Sequence, residues 1–82
     1  MTPQRKGELD RLQLFLRENR NNLQAIDQAA RHLHSRSLPL GLAIQAYRAY
    51  LERMPSSPVA AYNLAWYLTR DGQFESAIRM YQ

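Results

Sequence analysis

A chain of 82 residues provides for one small domain with a thin core, since about 60% of the surface of a chain this size is buried on folding. It has no cysteine, which excludes a disulfide framework, thiolate metal sites and cysteine nucleophiles together, and 45% apolar with 22% charged residues place it among globular rather than disordered proteins. The net charge of +4, carried almost wholly by arginine, is spread as +2 over residues 1–20, +2 over 21–54 and zero over 55–82, which reads as a solvated surface rather than the clustered patch that nucleic acid requires.

Met1-Thr2-Pro3-Gln4-Arg5-Lys6 runs directly into a helical pattern without the apolar stretch of a signal peptide. No segment approaches the roughly 20 apolar residues of a membrane span, so the expectation is a cytoplasmic protein with no membrane partner. Thr2 and Pro3 supply a cap and a first helical residue, and Leu9, Leu12, Phe15 and Leu16 recur at spacings of three and four up to about Asn19. After the polar break Asn19-Arg20-Asn21-Asn22, the residues Leu23, Ile26, Ala30 and Leu33 mark one face of a second helix. Ser35-Arg36-Ser37-Leu38-Pro39 stops it, because proline disfavours helical backbone in the residue before it, and Ser37 is expected to cap the next helix.

The third helix is predicted over residues 39–54, with Leu40, Ala43, Ile44, Tyr47, Tyr50 and Leu51 on its apolar face. Pro55-Ser56-Ser57-Pro58 ends it and opens a fourth, whose face is Ala61, Leu64, Ala65 and Leu68 and whose end is Asp71-Gly72. A fifth starts at about Gln73 with Phe74, Ala77, Ile78 and Tyr81 and is still running at the last residue. Nothing alternates with a strand's period of two, so the expected fold class is all-α, with about five helices.

The third and fifth helices superimpose: Ala43-Ile44-Gln45-Ala46-Tyr47-Arg48 reads against Ala77-Ile78-Arg79-Met80-Tyr81-Gln82 at an offset of 34 residues. An internal period of that length marks helical hairpins that stack because neither buries its own face alone. On these residues the chain resembles the tetratricopeptide repeat (TPR) family, most closely over residues 58–82. There Tyr62-Asn63-Leu64-Ala65 stands in the family's aromatic-Asn-Leu-small stretch, Gly72 in its interhelix turn, and Phe74, Ala77 and Ile78 in its second helix. The resemblance implies a right-handed superhelical stack of antiparallel hairpins, an α-solenoid. It divides the chain into a capping helix over 1–20, a degenerate hairpin over 21–57 and a second repeat over 58–82, truncated in its second helix. Read without a gap, the degenerate hairpin puts Arg31 where a small residue is needed. One extra residue in the turn at 35–39 brings Ile26, Ala30 and Leu33 into register instead and buries no arginine.

No side-chain set points to catalysis, a cofactor or a metal. His32 and His34 lie two apart on a helix, about 200 degrees from each other, and cannot share an ion. The serines at 35, 37, 56 and 57 sit at turns where capping explains them, and there is no nucleophile elbow, phosphate loop or His-Glu-x-x-His. Glu8 and Asp10, or Asp71 and Glu75, belong to exposed helix ends.

The resemblance instead implies a concave groove that receives an extended peptide or a partner's helix. Its lining falls on Val59, Tyr62, Asn63, Trp66, Thr69 and Arg70, joined in the slipped register by Arg31 and His34, a set that would favour acidic segments. Trp66 lies off the face formed by Ala61, Leu64, Ala65 and Leu68. It either anchors a partner from an exposed position or packs on a neighbouring repeat. Asn63 matches one asparagine of the carboxylate clamp found in some members, but Gln28 and His32 without a gap, or Asp27 and Arg31 in the slipped register, stand where lysine and asparagine belong. The expected function is therefore a protein-interaction scaffold, self-associating through Phe74, Ile78 and Tyr81 of the uncovered fifth helix. A rival reading is the opening segment of a larger bacterial enzyme, since similar arginine-rich arrays precede sulfotransferase-type domains; a nucleic-acid-binding helical domain ranks third.

Overall fold

A computed structural model describes residues 2–81, the side chain of residue 81 excepted, so the expectation placed on Tyr81 lies outside what is described. Among the described residues there are five helices and no strand: α1 (Pro3–Glu18), α2 (Leu23–Ser35), α3 (Gly41–Arg53), α4 (Pro58–Arg70) and α5 (Phe74–Tyr81). Three of the starts are held by side-chain caps that the sequence specifies. Thr2 Oγ1 accepts the Arg5 N–H at 3.2 Å, Asn22 Oδ1 that of Ala25 at 3.2 Å, and Ser57 Oγ that of Ala60 at 3.3 Å. None of these helices is long and apolar enough to cross a membrane.

The ends of α2 and α4 are built alike. In α4 the Gln73 N–H donates to the Leu68 carbonyl at 2.8 Å and the Gly72 N–H to that of Thr69 at 3.1 Å, with Gly72 at φ +82. In α2 the Leu38 N–H donates to the Leu33 carbonyl at 2.9 Å and the Ser37 N–H to that of His34 at 3.1 Å, with Ser37 at φ +53. Both are Schellman motifs, in which a left-handed residue turns the chain so that two late N–H groups satisfy the last carbonyls. Ser37 is therefore the terminator of α2 and not the cap of α3, contrary to the sequence expectation. The cap position of α3 falls on Leu40, which offers no side-chain acceptor, and the helix starts at Gly41 rather than residue 39.

These two ends fix the relation between the hairpins. Leu33 matches Leu68 and Ala30 matches Ala65 at a spacing of 35, all four buried, whereas Ala43 matches Ala77 at 34. The path from Leu33 to Ala43 is one residue longer than that from Leu68 to Ala77, the slip that keeps Arg31 exposed and puts Ala30 at 0% exposure. Each helix packs on its neighbours in the chain, and the molecule measures 39 × 26 × 16 Å.

Core residues come from every helix, with Leu16, Leu33, Ile44, Tyr47, Leu64 and Leu68 among the largest. Two expected faces are turned from where the spacing put them. In the first turn of α4 the fully buried alanine is Ala60 and not Ala61, because α4 is covered by α3 and α5 together and its buried arc includes Tyr67. In α1 Leu16 is buried and Leu9 and Leu12 are half-buried, but Phe15 is exposed, since α1 has only α2 as a substantial neighbour.

Polar ties complete the docking of α1. Arg36 Nη2 lies 2.6 Å from Glu8 Oε1, His32 Nε2 3.9 Å from Glu8 Oε2, and Arg5 Nη2 donates to the Ser37 carbonyl at 2.7 Å. At the other end Arg53 of α3 donates to Asn21 Oδ1 at 2.7 Å and to the Arg20 carbonyl at 2.6 Å, clasping the α1–α2 loop.

Candidate functional site

Residues one turn apart on a helix share a face, and two helices use that spacing, with one residue from a third, to build a concavity of about 440 Å3. Asp27 and Arg31 come from α2, Tyr47 from α3, and Tyr62 with Trp66 and Asn63 with Tyr67 from α4. Its floor is a hydrogen-bonded triad. The Tyr47 hydroxyl donates to Asp27 Oδ1 at 2.5 Å, and Asn63 Nδ2 donates to the same oxygen at 3.1 Å. Tyr47 is 1% exposed, and a phenol that deep requires a partner for its hydroxyl, which Asp27 provides from across the helix pair. Burial, reinforced by the Asp27 hydrogen bond and charge, pushes the Tyr47 phenol far above the ordinary tyrosine range. Burial and then the Asp27 charge push Tyr67 in the same direction.

Aromatic rings form the wall. Tyr47 and Tyr67 stack at 5.7 Å with 20° between their planes, and Trp66 meets Tyr67 edge-on at 4.9 Å. Trp66 also meets the His34 ring edge-on at 5.1 Å and carries the Arg70 guanidinium 4.5 Å from its ring centroid. It is half-buried against the core, so it is both packed on α2 and part of the concavity wall; the fully exposed position allowed by the sequence is not the one it takes.

The residues expected in the groove are divided by this arrangement. Tyr62, Asn63, Trp66 and Arg31 line the concavity together. His34 and Arg70 pack on Trp66 and open onto a second hollow of about 610 Å3 beside Arg5, Pro39, Leu40 and Asp71. Thr69 spends its hydroxyl on the Ala65 carbonyl at 2.9 Å, and Val59, exposed, stands outside the lining. Tyr47 and Tyr67 are the additions. Spacing identified Tyr47 as core, and a tyrosine there in place of leucine is a signal that a polar partner sits nearby. Asp27 stood out in the sequence only as a departure from the carboxylate-clamp pattern; its place in the floor follows from the extra residue in the α2–α3 turn.

Among the described residues no group of three or more His, Asp or Glu side chains is placed to hold a metal ion. No family model, curated protein or solved structure matches the chain.

Proposed function

We propose that this chain is a TPR-like interaction scaffold and that the concavity between α2 and α4 receives an extended peptide or partner helix. The observation that carries the reading is the concavity itself: a preformed recess in which Trp66 and Tyr62 stand beside a fixed amide and carboxylate. Aromatic anchors with a few placed polar groups are the usual composition of a protein-binding hot spot. Trp66 is held by the His34 and Tyr67 rings and the Arg70 guanidinium, so little of its side-chain freedom remains to be lost when a partner binds. The hairpin correspondence at spacings of 35 and 34 supports the family reading, because two like hairpins laid side by side are what generates a concave face.

The test is selection of a random peptide library on the full chain, followed by binding of the selected peptides to Tyr62→Ala and Trp66→Ala. Each variant is expected to lose at least about tenfold in affinity, the effect of truncating a hot-spot aromatic. Peptides that bind both variants as tightly as the parent would place the binding face elsewhere.

A further inference from the structure

From the chemistry of the concavity floor we infer that the groove takes a cationic side chain, arginine or lysine, projecting from a partner peptide, with Asp27 as its counter-charge. This rests on the groove reading above and names its ligand. Two of the floor's donors are spent internally. A carboxylate only accepts hydrogen bonds, so the Asn63 amide must turn its NH2 toward Asp27, which it does at 3.1 Å, and its oxygen faces away. The Tyr47 hydroxyl is likewise spent on Asp27 at 2.5 Å. What the floor offers a cationic visitor is the remaining capacity of the Asp27 carboxylate, which accepts about four hydrogen bonds in all, and the Asn63 carbonyl, beside the one Asn63 N–H that Asp27 leaves over.

Charge points the same way. Among the described residues Asp27 has no cation within ion-pair distance, although it is partly buried, where an unpaired carboxylate is costly. The chain's other partly buried carboxylate, Glu8, is paired with Arg36 at 2.6 Å. The rings above Asp27 suit a cation as well, since aromatic faces attract ammonium and guanidinium groups. Trp66 already holds one guanidinium, that of Arg70 at 4.5 Å, and Tyr62 stands 60% exposed beside it. A partner carboxylate would meet the Asp27 charge and an amide oxygen instead. Arg31 is the one feature that opposes the assignment. It lines the same recess one turn from Asp27 without pairing with it, so its charge competes with an incoming cation and gives the test its sign.

The experiment is an NMR titration of the full chain with N-acetyl-argininamide, N-acetyl-lysinamide and the amide of N-acetyl-aspartic acid. The Trp66 indole and Asn63 side-chain amide resonances are the reporters. Both cationic probes are expected to move them saturably and the acidic one to leave them in place, and Asp27→Asn is expected to bind the cations at least tenfold more weakly. Because Asp27→Asn also alters the bond to Tyr47, a second variant is needed whose fold is not in question: Arg31→Ala, an exposed position. Removing its charge is expected to tighten the cations about threefold, where an anion site would weaken. Preferential binding of the aspartate probe, absence of saturable shifts with the cations, or weaker cation binding by Arg31→Ala would each overturn the assignment. Should peptides selected from the library shift the same two resonances yet carry no basic residue, the cation site falls and the groove stands. If no selected peptide touches them, both fall.

Discussion

Tyr47 carries a hydroxyl into a core that, Tyr67 apart, is made of alanine, leucine and isoleucine, and Asp27 makes that tolerable by accepting its hydrogen bond at 2.5 Å. A hydrogen bond to a charged acceptor contributes more than a neutral one, so Tyr47→Phe is expected to lower stability by about 1.5–3 kcal/mol in urea unfolding. The same burial sets an alkaline limit. The Tyr47 and Tyr67 phenols are raised above the ordinary value of 10.0 in the folded state. Their contribution is whole below that value and is lost as pH rises above it, where the unfolded chain sheds protons that the folded chain keeps. The urea midpoint is expected to fall above pH 10.0, and to fall less steeply in Tyr47→Phe; equal slopes in the two proteins would remove Tyr47 from the account. Spacing alone placed Tyr47 in the core, because periodicity reports which side of a helix faces inward. It does not report what stands opposite. The partnership with Asp27, 20 residues away in the chain, depends on one residue gained in a turn, and the chemistry of the site was illegible to that extent.

At the level of elements, caps and punctuation were readable wherever one residue type has one use: Thr2-Pro3, Asn22 and Ser57-Pro58 all act as their chemistry predicts. Ser37 was misread because serine serves several turn positions, and only backbone geometry separates a cap from a left-handed terminator. That geometry makes a paired prediction. Ser37→Gly removes the strain of a left-handed L-residue and is expected to stabilise by about 0.5–1 kcal/mol, while Gly72→Ala imposes that strain and is expected to cost about 1–2 kcal/mol. A methyl group at Gly72 meets no atom within 4 Å, so the cost there is one of conformation and not of space. Thermal unfolding of the two variants measures both, and shifts of the same sign would contradict the common motif. The junction of α1 with α2 has its own signature in pH. The hydrogen bond from Arg36 is the largest effect on the Glu8 carboxyl and, with lesser help from the charges of Arg36, His32 and Arg11, holds it below its ordinary 4.5 against the opposing effect of burial, second in size. Its contribution is present above 4.5 and disappears as pH falls through the lowered value, so α1 is expected to loosen first on acidification. Hydrogen exchange resolved by residue should show α1 amides losing protection before those of α4. Glu8→Gln should bring that loss up to neutral pH.

Across the whole molecule, the stacking of each helix on its chain neighbours leaves the two outer helices covered on one side only. The consequences differ at the two ends. On α1 the exposed apolar residues Leu14 and Phe15 lie among arginines at 11, 17 and 20, within a segment of net charge +2 that repels its own copies. On α5, Phe74 and Ile78 stand 61% and 56% exposed one turn apart, and residues 55–82 carry no net charge, so two such faces can meet without repulsion. The α5 half of that asymmetry was legible in the sequence from charge by segment and the spacing of Phe74 and Ile78, whereas the exposure of Phe15 was not, since its spacing put it on the apolar face of α1. It predicts that the protein associates through α5. Light scattering is expected to show a mass that rises with concentration into the high micromolar range, and the double variant Phe74→Ser, Ile78→Ser is expected to stay at monomer mass throughout. A closed, two-fold arrangement would saturate at the dimer, because each α5 face is then covered by its counterpart, whereas a head-to-tail arrangement would continue to grow. A parent protein that remains strictly monomeric over the same range would show that these two side chains are tolerated in water as they stand.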